Sequence, residues 1–252
     1  MKNFINTYWK TIAFFAIIGL VGGFFTGLYL LDSYPDEIRQ QVLAQGISAP
    51  VMGLVTAVQS AGYGLVLGTL GIILGKKTGL WKDETALTKK PLLLSVAVSL
   101  VSGLSMIVPD MLFFVQYSDA LMNSYAAKPT IAYMLGAVTY GAVIEEVMLR
   151  LFFMSLIVFV LHKLFGKKNE YPSVSVLVAA NVIAALLFAA GHLPATIALM
   201  GSSPILIFRC FLLNGGLGLL FGYLYRKYGL RYAMIAHGGC HVVSKLIWIL
   251  FI

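Results

Sequence analysis

Charged residues and cysteines are scarce in this chain. Of its 252 residues, only 11% are Asp, Glu, Lys or Arg, whereas 60% are hydrophobic. A soluble domain carries about 25% charged residues, so this composition excludes an ordinary soluble fold. The two cysteines, Cys210 and Cys240, both lie in apolar stretches. We therefore do not expect the fold to depend on a disulfide.

Long polar segments are also missing, and no part of the chain outside the apolar stretches is large enough to fold alone. An apolar stretch of about 20 residues can cross the hydrocarbon core of a bilayer as a helix. The sequence has seven such stretches, at residues 11–31, 50–75, 91–114, 130–164, 173–192, 204–225 and 232–252. The fourth is longer than one crossing requires, so we expect it to protrude, tilt or break.

These stretches predict an all-α fold, a polytopic membrane helix bundle of about seven transmembrane helices in a single domain, residues 1–252. The interiors of the first two stretches contain no ionisable residue, whereas the later ones do. We therefore expect residues 1–128, with helices 1–3, to form a scaffold or a wall for substrate access. Residues 129–252, with helices 4–7, are expected to form the catalytic core.

The net charge of +8 could suggest a nucleic-acid partner, but the basic residues are concentrated in alternate loops. These loops and the N-terminal segment contain Lys2, Lys10, Lys76, Lys77, Lys82, Lys89, Lys90, Lys163, Lys167, Lys168, Arg226, Lys227 and Arg231. Such alternation is the positive-inside pattern of membrane proteins. We predict an integral protein of a bacterial cytoplasmic membrane, with its N-terminus in the cytoplasm and its C-terminus outside. Its partners are the lipid bilayer and a substrate, and no nucleic acid is expected.

Two adjacent glutamates, Glu145 and Glu146, lie within the fourth apolar stretch. A charged side chain inside a membrane is costly and marks a functional site by default. Successive residues of an α-helix point about 100° apart, so the two carboxylates face different ways. Arg150 is four residues after Glu146, which predicts an ion pair between them. Glu145 is then free to face a cavity and act as a general base. The alternative is that both glutamates only bridge helices.

Histidines occur in two of the later stretches. His192 shares a helix face with Phe188, four residues earlier, and with Asn181. His237 and His241 are also four residues apart, which allows one helix to present two imidazoles to one metal ion or one water. Lys245 continues the same face, either to supply positive charge near the site or to extend toward the membrane interface. For each histidine, packing or interhelical hydrogen bonding is the structural alternative.

A carboxylate and three histidines inside a membrane are the groups that hydrolysis requires. In one arrangement, Glu145 and His192 activate a water, and His237 and His241 stabilise the oxyanion. In the other, three of these four residues bind Zn²⁺ and leave an open position for water.

The three segments together resemble the CPBP family of membrane endopeptidases, which includes CAAX proteases and bacteriocin-processing or Abi-like proteins. The family pattern is Glu-Glu-x-x-x-Arg, then Phe-x-x-x-His, then His-x-x-x-Asn. This chain has Glu145-Glu146 with Arg150, Phe188 with His192, and His237 with His241. The resemblance covers roughly residues 130–245.

The resemblance implies that Glu145 is the water-activating base and that Glu146 and Arg150 are supporting charges. It implies that His192 also positions the water and that His237 stabilises the oxyanion or binds a metal. The chain has His241 where the family commonly has Asn. Because imidazole binds metals better than an amide does, this difference favours a metal site.

If the helix ends lie at the limits given above, Glu145 and His192 are nearer the outer side than His237. With a rise of about 1.5 Å per residue, the offset could exceed 10 Å. Shifting or bending the fourth and fifth helices would remove it.

We predict an intramembrane endopeptidase that hydrolyses a peptide or a membrane-associated protein, metallo- or glutamate-dependent. Two alternatives stay open. One is a non-catalytic bacteriocin-immunity or scaffold protein, and the other is a proton-coupled transporter, since buried Glu, His and Lys also form proton relays.

Overall fold

The computed structural model describes residues 2–83, 86–166 and 170–252. This part of the chain is 88% helical and contains no strands, which confirms the all-α fold. The twelve α-helices are α1 (Lys2–Ser33), α2 (Asp36–Ala44), α3 (Ala49–Gly62), α4 (Gly68–Thr78), α5 (Lys89–Leu112), α6 (Asp119–Ala126), α7 (Ile131–Gly136), α8 (Ser155–Phe165), α9 (Val174–Met200), α10 (Pro204–Cys210), α11 (Gly216–Tyr228) and α12 (Leu230–Phe251). Lys167 and Lys168, used above for the charge pattern, lie outside the described residues, as does the side chain of Lys2.

Four π-helical segments connect α-helices into longer rods, and their bounds are Tyr63–Leu67, Ala137–Glu145, Val147–Met154 and Phe211–Gly215. A short 3₁₀ helix, Phe114–Tyr117, follows α5. Within the described residues, six helices are long and apolar enough to cross a membrane: Asn3–Ser33, Ala49–Thr78, Lys89–Leu112, Val174–Met200, Pro204–Tyr228 and Leu230–Phe251. They correspond to six of the seven predicted stretches.

The fourth predicted stretch has an unexpected conformation. It is helical without interruption from Ile131 to Phe165, and we call this segment the fourth rod. Its middle consists of the two π segments Ala137–Glu145 and Val147–Met154. The stretch does not break; it widens locally into π-helix, and its protrusion or tilt stays a prediction. Glu146 is the single α-helical residue between the π segments. Local π geometry occurs frequently at functional sites.

The outer surface of the bundle is apolar, unlike that of a soluble protein, and several polar side chains lie inside it. Large apolar side chains such as Leu54, Val58 and Leu100 are exposed, whereas Ser95 and Ser102 are completely buried. Lipid cannot hydrogen-bond polar groups, so these groups face the interior of the bundle. The integral membrane location is therefore confirmed, and the orientation of the termini and the bacterial origin stay predictions.

Helix α12 packs along α5 and against the first π segment of the fourth rod. Gly239 of α12 faces Ser99 of α5 so closely that a Cβ atom at 239 would collide with the serine side chain. Small residues at such contacts allow two backbones to approach closely inside a membrane. This contact holds the part of α12 that carries His237 and His241.

The offset expected between the glutamates and His237 is not observed. The fourth rod and α12 run antiparallel, with Lys245 over the Tyr133 ring near one end. Further along, Glu146 and His237 are in direct contact at 2.9 Å. The fifth predicted stretch also ended too early: α9 continues through Pro194 to Met200, so His192 lies within the helix. The prediction of this offset was wrong because it assumed that the ends of all the helices lie at the same two depths, and they do not.

A buried ion pair that was not predicted joins α5 and α10. Arg209 donates through Nε and Nη2 to the two carboxylate oxygens of Asp110. Tyr125 of α6 donates its hydroxyl proton to Asp110 Oδ2 at 2.7 Å. Asp110 is completely buried, so its charge depends on Arg209.

Replacement of Asp110 by Asn removes the charge that balances Arg209. We expect the variant to lose about 3–5 kcal/mol of unfolding free energy, because an uncompensated buried charge is strongly destabilising. Denaturant unfolding in detergent micelles measures this loss. Asp32→Asn, at an exposed position of α1, is the matched control and should change stability by less than about 0.5 kcal/mol. The double variant Asp110→Leu/Arg209→Met should recover most of the loss, and a double variant as unstable as Asp110→Asn contradicts the assignment.

Candidate active site

Glu146 is the most deeply buried acidic residue of the site. Its Oε1 accepts a hydrogen bond from Nδ1 of His237 at 2.9 Å. Its Oε2 lies 3.4 Å from Nε of Arg150, so the predicted ion pair is present. Arg150 also donates through Nη2 to the carbonyl oxygen of Gly218 at 3.2 Å. The Glu146 carboxylate therefore links the fourth rod to α11 and α12.

Glu145 has a different environment from its neighbour. Its side chain is 19% exposed and faces a cavity of about 140 Å³. The other residues that line this cavity are Tyr140, Met148, Leu149, Leu187, Phe188, Gly191 and His192. Glu145 Oε2 lies 3.9 Å from His237 Nε2, which is too long for a direct hydrogen bond but short enough for a group between them to contact both. The prediction that the two glutamates face different ways is confirmed by this geometry.

His192 lines the same cavity as Glu145. Its Nδ1 contacts the carbonyl oxygen of Phe188 at 2.9 Å. Because a carbonyl can only accept, Nδ1 carries the proton, and the lone pair of a neutral ring is on Nε2. The ring packs edge-on against Phe188, with centroids 4.7 Å apart. His192 therefore provides a hydrogen-bond acceptor close to a carboxylate, an arrangement that can orient a water.

His237 lies between two flat side chains. Phe221 stacks on one side of its ring, with centroids 4.6 Å apart. His241 stacks with it at 4.9 Å. With Nδ1 donating to Glu146, the remaining nitrogen, Nε2, is directed toward Glu145. The sequence did not predict a role for Phe221, because an aromatic residue in a glycine-rich helix is not in itself an indication of a functional site.

Phe188 and Phe221 also enclose the arginine. The guanidinium carbon of Arg150 lies 4.7 Å from the Phe188 ring centroid and 5.8 Å from that of Phe221. Such cation–π contacts stabilise a cation that is removed from water. Phe188 thus contacts both His192 and Arg150, which accounts for its position four residues before the histidine.

Asn181, predicted to support the site, lies elsewhere. Its Nδ2 donates to the carbonyl oxygen of Leu219 at 3.0 Å, and its side chain packs tightly against Gly222. It does not line the Glu145 cavity. The prediction was wrong because a shared stripe on α9 spans several turns, and the turn of Asn181 meets α11 instead.

Lys245 is buried and contacts His241. Only 4% of the residue is exposed, and its Nζ lies 3.4 Å from His241 Nδ1. Its positive charge therefore lies next to the histidine pair, as the first of the two interpretations expected.

The four residues considered as zinc ligands do not form a metal-binding cluster. Among the described residues, no group of three or more His, Cys, Asp and Glu side chains is arranged to hold a metal ion. The Nδ1 atoms of His192, His237 and His241 face a carbonyl, a carboxylate and an ammonium group. The partners of His192 and His237 leave Nε2 free, as in metal-binding histidines. The poor fit to zinc therefore rests on the lack of a converging cluster among the described residues and on His241, whose Nδ1 faces an ammonium.

Fold and site together define a class of protein: a membrane-embedded helical bundle in which a glutamate and a histidine line a small cavity and two further histidines pack beside the glutamates, as in an intramembrane hydrolase. Residues 127–243 match the family described as "Type II CAAX prenyl endopeptidase Rce1-like". This segment therefore belongs to the CAAX-type intramembrane endopeptidases, and the resemblance drawn from the three motifs is confirmed. The comparisons with curated proteins and with solved structures gave no match.

Replacement of Asn181 by Ala tests its assignment to the α9–α11 interface. We expect a loss of about 0.5–1.5 kcal/mol of unfolding free energy, because the variant removes one part-buried hydrogen bond and opens a gap beside Gly222. Peptide cleavage per folded molecule should stay within about threefold of the parent, since the cavity is unchanged. Asn214→Ala is the control, because the Asn214 amide bonds only Cys210 of its own rod. Loss of cleavage at unchanged stability contradicts the assignment and returns Asn181 to the catalytic site.

Proposed function

We propose that the protein is a metal-free intramembrane endopeptidase in which Glu145 activates a water molecule to hydrolyse a peptide bond. The proposal rests on one observation. Glu146 is already engaged by Arg150 and His237, whereas Glu145 faces a cavity that it shares with His192. A carboxylate with this freedom can take a proton from water and return it.

The steps of the proposed hydrolysis follow from the positions of two hydrogen-bond acceptors, the Glu145 carboxylate and Nε2 of His192. A water in the cavity donates one hydrogen to Glu145 and the other to the Nε2 atom of His192. Glu145 removes its proton while the water oxygen forms a bond to the carbonyl carbon of the substrate. The π-electron pair of the carbonyl moves to its oxygen, which becomes an oxyanion. Glu145 then delivers the proton to the amide nitrogen as the C–N bond breaks, giving a carboxylic acid and an amine.

The oxyanion forms on the side of Glu145 that the other two histidines occupy. His237 and His241 are stacked there, on a helix held by the Glu146 hydrogen bond and by packing against α5. Polar groups that are fixed in advance stabilise developing charge more effectively than mobile ones, because they do not have to reorganise during the reaction. We assign oxyanion stabilisation to His241, which the stacked His237 ring holds in place.

We propose that the N-terminal helices form one wall of the route by which the substrate reaches the site. A second cleft, of about 680 Å³, lies between α1, the first π segment of the fourth rod and α12. Phe14 and Phe15 of α1 form part of its apolar wall, and it reaches Ala142 and Gly238 next to the site. A cleft of this size and composition suits an extended apolar peptide segment. Residues 1–128 would then supply a wall of the access route, and residues 129–252 the catalytic groups.

Glu145→Gln and His192→Ala are the direct tests of the catalytic assignment. Each removes a group that contacts the water, so we expect cleavage to fall by about 10²–10⁴-fold. The assay uses purified protein in proteoliposomes with quenched fluorescent peptides, including prenylated and unprenylated ones. Glu37→Gln, at an exposed position of α2, is the control and should cleave normally.

Normal cleavage by both variants rules out the assignment. If no peptide is cleaved by the parent protein and Glu145→Gln keeps its cellular phenotype, the immunity or scaffold alternative is favoured. Substrate-dependent proton movement without hydrolysis favours the transporter alternative.

Metal removal distinguishes the two versions of the chemistry. Since the donors do not converge, we expect EDTA and 1,10-phenanthroline to change the cleavage rate by less than about twofold. Elemental analysis of the active protein should show far less than one zinc per chain. A stoichiometric metal whose removal stops cleavage, and whose return restores it, contradicts the metal-free mechanism.

A further inference from the structure

We propose that Lys245 is a positioning residue that holds His241 in one tautomer, with its proton on Nε2, so that His241 acts as a hydrogen-bond donor in the site. This inference rests on the proposed function and specifies how His241 contributes to it. Lys245 is not part of the three motifs from which the family was recognised, and its role follows from its contacts alone.

The environment of Lys245 calls for an explanation, because a buried ammonium group is costly. Its Nζ lies 4.3 Å from the centroid of the Tyr133 ring and 3.4 Å from His241 Nδ1. Within the described ranges no carboxylate forms an ion pair with Lys245. The Tyr133 ring compensates part of the charge through a cation–π contact. The only polar side chain that the ammonium contacts there is His241.

The contact determines where the imidazole proton lies. An ammonium group has three N–H donors and no acceptor. Nδ1 of His241 must therefore accept, and the proton of the neutral ring is on Nε2. A protonated Nε2 cannot bind a metal ion, so the preference for a metal site that His241 suggested in the sequence is reversed by Lys245.

The other two histidines have the opposite arrangement. Nδ1 of His237 faces the Glu146 carboxylate, and Nδ1 of His192 faces the Phe188 carbonyl oxygen. Both partners accept hydrogen bonds, so both rings carry a proton on Nδ1. In the neutral state, His241 is thus the member of this trio that presents an N–H from Nε2. An oxyanion needs such a donor, and a water needs the acceptors that the other rings provide.

The donor lies close to the reacting groups. His241 Nε2 packs against Gly141, and a Cβ atom at position 141 would be only 2.8 Å from it. Gly141 precedes Glu145 by one turn of the same π segment. The Nε2–H group therefore occupies the position where the related family commonly has an asparagine, and it can donate as that amide does.

A double-variant comparison tests the inference through activity. Lys245→Met alone should lower kcat by about 10–100-fold, the usual effect of removing a partner that orients a functional histidine, with KM within about twofold. His241→Asn should lower kcat but retain measurable cleavage, because an amide donates without help from Lys245. In that background, Lys245→Met should have less than a twofold further effect. Lys163→Met, a lysine over the Phe159 ring at an exposed position, is the control.

An equal loss in both backgrounds shows that Lys245 has only a structural role and overturns the proposal. So does an inactive but folded His241→Asn, since the donor alone would then not suffice.

The tautomer can also be measured without activity. The ¹⁵N chemical shifts of histidine-labelled protein, assigned by comparison with His241→Asn, should show His241 protonated at Nε2 and not at Nδ1. Lys245→Met should shift His241 toward a mixture of the two tautomers. A proton on Nδ1 in the parent protein overturns the proposal even if Glu145 is confirmed as the base. Conversely, the expected shifts together with an active Glu145→Gln refute the proposed function alone.

Discussion

A carboxylate buried inside a membrane bundle must be matched by positive charge and by hydrogen-bond donors, and Glu146 meets this requirement. Arg150 supplies the charge from the same rod, and His237 supplies the hydrogen bond from α12. In a medium of low dielectric constant, an unmatched carboxylate would be far more costly than one in water. The arginine in turn contacts Gly218 of α11 and the ring of Phe188 of α9. The fourth rod, α9, α11 and α12 are thus joined through one ion pair.

The different environments of Glu145 and Glu146 follow from this requirement. Glu146 occupies Arg150 and one nitrogen of His237. Within the described residues, Glu145 forms no ion pair with a lysine or an arginine, and it faces the cavity. Two identical side chains, adjacent in sequence, therefore have different environments, one holding helices together and one facing the cavity. Separation of similar titratable groups by their environments is a general device of active sites.

The histidines are differentiated in the same way. Each Nδ1 has its own partner, a carbonyl for His192, a carboxylate for His237 and an ammonium for His241. The partner decides which nitrogen carries the proton, and so whether the ring donates or accepts within the site. The three histidines thereby provide two hydrogen-bond acceptors and one hydrogen-bond donor.

The sequence by itself determined the membrane location, the approximate limits of the helices and the Glu146–Arg150 pair. The first two follow from the bilayer thickness, which sets the length of an apolar stretch, and the third from the proximity of residues four apart on one helix. Only the tertiary structure decided which residues meet across helices. Asp110 pairs with Arg209 from 99 residues away, Phe221 stacks on His237, and Asn181 bonds α11 rather than the cavity. These contacts depend on the depth and rotation of each helix relative to its neighbours, and local periodicity contains no information on either. For the same reason, the expected offset in depth between His237 and the residues Glu145 and His192 is absent from the structure.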